Sequence, residues 1–94
     1  MNIGILTLHL HLPGCKSLKE KRSHIKPLIH RVHREYNVSI AEIKLQDKWQ
    51  DSILSIVSVS NDRAHLNEYL SNVLGFIKFY FKNIEINSES IEII

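Results

Sequence analysis

The sequence predicts an α+β sandwich, a four-stranded antiparallel sheet with two helices on one face. Three observations lead to this. Residues 2–12 alternate apolar and polar with a period of two, as a half-buried strand does. Two later stretches, 17–36 and roughly 62–82, carry apolar residues at three- and four-residue steps, as amphipathic helices do. Between and after them lie three further strand-like runs, so the element order is β-α-β-β-α-β. Two split β-α-β units with right-handed crossovers then place the first and third strands at the centre of the sheet, the ferredoxin-like arrangement.

The first strand reads NIGILTLHLHL, with Leu6, Leu8, Leu10 and Leu12 on one face and Thr7, His9 and His11 on the other. Pro13-Gly14 ends it. Ser17 followed three residues later by Glu20 has capping-box spacing and opens the first helix. Leu18, Ile25, Leu28, Ile29, Val32 and Tyr36 form its buried stripe, with Arg22 at the border, and Asn37 is expected to end it in the left-handed conformation. Pro27 removes the helical bond to the Ser23 carbonyl at a cost of about 3 kcal/mol. It lies opposite the apolar stripe, so a single bent helix is expected rather than two short ones.

Residues 38–45 make a second strand whose alternation changes phase between Ile40 and Ile43, which predicts a bulge. Gln46 to Asp51 is a polar turn with the only Trp, Trp49, and with Asp47 and Asp51 as turn formers. Residues 52–60 make a third strand, taken to bury Val57 and Val59 and to expose Ile56 with Ser58 or Ser60. Asn61-Asp62 supplies the N-cap of the second helix, whose core side is Leu66, Tyr69, Leu70, Val73 and Ile77 and whose interior holds Gly75. Ile84, Ile86, Ile91 and Ile93 mark a last strand. The predicted core is Leu8, Leu10, Ile25, Leu28, Ile29, Val32, Val57, Val59, Leu66, Leu70 and Val73.

Ninety-four residues suit one domain with a thin core. An apolar fraction of 44% and a charged fraction of 23% are those of a folded soluble protein. Met1 opens a mixed segment with no basic leader, so no signal peptide is expected, and no apolar run is long enough for a membrane span. The single cysteine, Cys15, precludes an internal disulfide and suits a reducing cytoplasm.

The charge distribution is the main functional lead. Lys16 to Arg34 holds seven Lys or Arg and one acid, a local balance of +6, whereas the other 75 residues sum to −4. The helix is nearly uncompensated by the acids at i,i+4 that would make this a self-paired surface, although a solvated face is the commoner use of such a run. The reading favoured here is a phosphate-binding face made by Lys19, Arg22, Lys26, Arg31 and Arg34, with Lys16 near the helix start. His24, His30 and His33 would add charge there as the pH falls toward about 6.

Other chemistry is poorly supported. His9-x-His11 has a spacing that metals use, but it should lie across the sheet from His24, His30 and His33, and no second cysteine or fixed carboxylate completes a set. No metal or other cofactor is expected. Cys15 near a helix N-terminus could have a lowered thiol pKa, yet no partner base or oxyanion site is marked, so an inert loop thiol is expected. Gly14-Cys15-Lys16-Ser17 resembles the end of a phosphate loop, but His9 stands where the upstream glycine is required. Asp47 and Asp51 lack the marks of an acid–base pair, and no catalytic residue is assigned. The open sheet face has no Phe, Tyr or Trp on its central strands, which argues against base stacking there. Trp49 reads as an anchor of its turn, and the aromatics Phe76, Phe79, Tyr80 and Phe81 read as core and rim.

Four ordered motifs, PGCKSLKEKR at 13–22, NVSIAEI at 37–43, QD-x-WQ at 46–50 and VSNDRAH at 59–65, resemble the bacterial YlxP-like family, of about this length and of unknown function. The resemblance spans essentially the whole chain. It implies a ferredoxin-like fold and a bacterial cytoplasmic protein, and because members are often encoded near translation and ribosome-maturation factors it implies an RNA-related role. It brings no catalytic residues, and Pro27 departs from the family's usual helical filler. The expected function is therefore a non-catalytic module that binds structured RNA or the ribosome. The alternative is a protein-interaction or homodimerising module that uses the open sheet face or an edge strand.

Overall fold

A computed structural model describes residues 1–94. It contains β1 (Asn2–His11), α1 (Leu18–Glu35), β2 (Ser39–Lys44), β3 (Asp51–Ser60), α2 (Arg63–Tyr80) and β4 (Glu85–Ile93). The strands form one antiparallel sheet in the order β2-β3-β1-β4, with β1 and β3 central as expected. This is the ferredoxin-like α+β sandwich, with the core between the helices and the face of β1 that carries Leu6, Leu8 and Leu10.

Each element follows from local chemistry. At the start of α1 the Ser17 hydroxyl accepts from the Glu20 amide at 3.0 Å, and the Glu20 carboxylate accepts from the Lys16 amide at 2.9 Å. The capping box thus closes one residue further upstream than the usual reciprocal pair. The helix runs unbroken through Pro27, whose ring is exposed. It ends at Tyr36 in an extended conformation, so Asn37 does not supply the left-handed cap expected of it. α2 is capped as the sequence indicates, with Asp62 accepting from the His65 amide at 3.1 Å. β1 passes so close beneath α2 that a Cβ on Gly4 would lie 2.7 Å from Leu70 Cδ1 and 2.8 Å from Leu66 Cγ.

Two bulges set the strand phases. The β2–β3 register shifts between Glu42 and Lys44, which leaves Ile43 as the extra, exposed residue. The β1–β4 register shifts where Leu10 pairs with Ile86 and His9 with Ser88. Ile86 and Ile91 are an odd number of residues apart, and this bulge returns both to the core side.

The phase of β3 corrects the sequence reading. Leu54 and Ile56 pair with Leu8 and Leu6 and are fully buried, whereas Val57 is half-buried and Val59 is 61% exposed. The open face therefore carries Ile53, Ser55, Val57 and Val59, not Ile56 with Ser58 or Ser60. The run SILSIVSVS has apolar residues in both phases, so periodicity alone does not choose between them. Pairing against the Leu face of β1, together with a polar network that holds Ser52 on the inner side, makes the choice. Ile29, placed in the core by its spacing, is half-buried at the rim.

Candidate nucleic-acid interface

Helix α1 presents two adjoining shallow depressions on its outer face. One is lined by Lys19, Arg22, Ser23, Lys26 and Pro27, the other by Pro27, His30, Arg31, His33 and Arg34. Pro27 lines both depressions. Of the residues singled out by charge, only Lys16 lies outside both depressions, on the exposed approach to the helix. None of Lys16, Lys19, Arg22, Lys26, Arg31 and Arg34 is in a salt bridge; the ion pairs involve only His9, His11 and Asp51, Lys21 and Glu42, and Lys78 and Glu89. Lys19, Arg22, Lys26 and Arg34 are exposed, so Arg22 stands clear of the core border where its helical position suggested it.

The residue at that border is Lys21. Its side chain is 1% exposed, and its ammonium lies 2.9 Å from Glu42 Oε2, 2.8 Å from the Leu45 carbonyl and 2.9 Å from the Asp51 carbonyl. These three acceptors match the three N–H donors. The Ser52 hydroxyl donates to the same Glu42 oxygen at 2.6 Å. One of the seven positive charges is thus neutralised inside the protein. The signal was present in the sequence: 18, 21, 25, 28 and 32 form a continuous three-four stripe, and Lys21 occupies a place between Leu18 and Ile25.

Arg31 differs from its neighbours. It is half-buried, with its guanidinium 4.1 Å from the Tyr80 ring centroid and 5.5 Å from that of Phe76. Its Nε is buried without a hydrogen-bond partner. The aromatics at the end of α2 divide: Phe76 and Phe81 are half-buried against the core, while Phe79 and Tyr80 point to solvent.

The histidines separate as expected, with His9 and His11 on the open sheet face and the others on α1 or near the start of α2. Asp51 is more than a turn former. It begins β3, and its Oδ1 accepts from His9 Nε2 at 3.0 Å and His11 Nδ1 at 3.2 Å. Burial pushes the Asp51 carboxyl up, but the hydrogen bonds and charges of the two histidines outweigh this and hold it below the usual carboxylate range.

His24 does not join the basic depressions. Its ring sits beside Cys15, and ligand atoms of Cys15, Glu20 and His24 lie within 4.8 Å of one another. Glu20 is a carboxylate that the sequence reading did not place there, brought round by the first turn of α1. The three donors are one short of a closed tetrahedral set, and Glu20 already accepts from the Lys16 amide. Burial, and next the Glu20 charge, push the Cys15 thiol up against a smaller opposing pull from Lys21, so it is not the lowered thiol that a helix N-terminus suggested. Trp49 is 55% exposed in the β2–β3 connection. No helix is long and apolar enough to cross a membrane.

The profile of the family described as "Protein of unknown function (DUF503)" matches residues 3–91, nearly the whole chain. The chain belongs to the DUF503 family. A relative in Bacillus subtilis (strain 168), "Uncharacterized protein YlxP", is 46% identical over 75 residues, which cover 80% of this chain and 82% of the relative. Among solved structures, the de novo designed protein Foldit4 covers 100% of this chain and 97% of its own, with a TM-score of 0.54 at 17% identity. That likeness concerns the fold alone. DUF503 membership accounts for the four ordered motifs and assigns no activity.

Proposed function

We propose that this protein is a non-catalytic RNA- or ribosome-associated binding module whose contact surface is the outer face of α1. The observation that carries the reading is the row of exposed, unpaired cations Lys19, Arg22, Lys26 and Arg34 along two adjoining depressions of one helix face. No carboxylate is in ion-pair contact with this row; Glu42 is paired with Lys21 and Glu89 with Lys78. Such a surface contacts phosphates and positions a protein without reading base sequence. The open sheet supports the helix rather than the sheet, because β1 and β3 carry no Phe, Tyr or Trp, and the His9 and His11 rings are tied to Asp51.

If about four phosphates are neutralised, the log–log salt slope is near −3, and affinity falls about 50-fold from about 50 to about 200 mM salt. The variant Lys19→Glu/Lys26→Glu/Arg34→Glu changes exposed positions only and should fold normally. It should lose association with ribosomes or structured RNA in pull-downs. A folded variant that binds RNA as well as the parent, or a parent without salt-sensitive binding, would show α1 to be an ordinary solvated face.

A second reading rests on the open sheet face, where Ile3 pairs with Val59 and Ile5 with Val57 and none of the four is covered by a helix. A homodimer through this face would hold at high salt, unlike phosphate binding. Sedimentation across the micromolar range separates the two, and a monomer throughout removes this one.

A further inference from the structure

We propose that the α1 surface takes RNA at an unpaired nucleotide, whose base stacks on Phe79 at the C-terminal end of α2 while its neighbouring phosphates lie on the α1 cations. This deepens the RNA reading and rests on it.

Phe79 is 63% exposed and Tyr80 49%, two large rings side by side in the last turn of α2 with centroids 4.8 Å apart. Leaving both in water forgoes the stabilisation that burying either would contribute. The pair is not isolated from the basic surface. Arg31 lines the second depression of α1 together with Arg34, and its guanidinium lies over Tyr80. The cationic surface therefore passes into the aromatic one through a single side chain. On the far side Lys82 places its ammonium 5.0 Å from the Phe79 centroid. Exposed rings between two cations match a nucleotide, which has an apolar planar base between charged phosphates. A bare apolar patch for a protein partner needs no such flanking charge. Arg31, held by Tyr80, is fixed at the junction, whereas Lys82 is free to leave the Phe79 face for a phosphate when a base arrives. Any base has a π-face, so stacking here adds affinity without demanding a sequence.

The test uses the full chain and two labelled probes, a short oligouridylate and an abasic oligomer of the same length, read by fluorescence anisotropy. The parent should prefer the oligouridylate. Phe79→Ala should weaken that binding by about 5- to 150-fold. It should leave the abasic oligomer and the salt slope unchanged, since no phosphate contact is removed. Phe79→Trp should retain the preference. Equal binding of both probes by the parent, or a Phe79→Ala loss that is the same on both, overturns the stacking proposal and leaves the phosphate reading intact. Binding to neither probe nor to structured RNA removes both. Phe79 is exposed, so the Ala variant should keep the parent's circular dichroism spectrum and melting temperature.

Discussion

Replacing Lys21 with methionine tests the buried polar network directly. Methionine is unbranched and of similar length, so Lys21→Met removes the ammonium and leaves most of the packing. Three acceptors lose the ammonium: the Glu42 carboxylate, the Asp51 carbonyl and the Leu45 carbonyl, the last of which keeps the Lys48 amide at 3.0 Å. Glu42 keeps only the Ser52 hydroxyl and becomes a charge without a counter-charge in a largely enclosed site. Breaking a buried pair in this way costs about 3 to 5 kcal/mol. A chain of this length has a total stability of roughly 5 to 14 kcal/mol, so the variant should fold but be marginal. With an m-value of about 1 kcal/mol per molar, the urea midpoint should fall by roughly 3 to 5 M. The companion variant Lys21→Met/Glu42→Leu removes the stranded carboxylate and should recover much of the loss. What remains belongs to the Asp51 carbonyl and to the buried Ser52 hydroxyl, which loses its Glu42 acceptor in the double variant, at about 1 to 3 kcal/mol for each that water does not reach. A Lys21→Met midpoint within about 0.5 M of the parent, or a double variant no more stable than the single one, would refute the claim that the network is a closed, charge-neutral unit.

Two further outcomes are expected. Ile56→Ala should cost about 2 to 5 kcal/mol, whereas Val59→Thr should change stability by less than about 0.5 kcal/mol; the reverse order in chemical denaturation would mean that β3 has the other phase. Asp51, held below its ordinary pKa in the fold, binds fewer protons folded than unfolded, so its contribution is present above about pH 4 and is lost as the pH falls through its lower folded value. Asp51→Asn should therefore flatten the fall in stability below about pH 4, and an unchanged acid profile by thermal melts would contradict the His9–Asp51–His11 bridge.

The sequence by itself determined the order of elements, the N-caps of both helices, the β2 bulge and the concentration of charge on α1. These are local properties: hydrophobic period, capping chemistry and charge counts depend on residues within a few positions of one another. What the tertiary structure decided depended on partners distant in the chain. β3 has a usable apolar set on either face, and only its register against Leu6 and Leu8 of β1 selected Leu54 and Ile56. Lys21 looked like one more basic residue because its counter-charge, Glu42, lies on another element and its carbonyl acceptors flank a turn. Asp51 looked like a turn residue because the histidines that use its carboxylate lie 40 and 42 positions away. The exposure of Phe79 and Tyr80 was likewise invisible, since it depends on where α2 ends relative to the core and on which aromatic takes Arg31. Periodicity ranks faces, but a buried charge or an exposed ring is settled by what the fold brings opposite it.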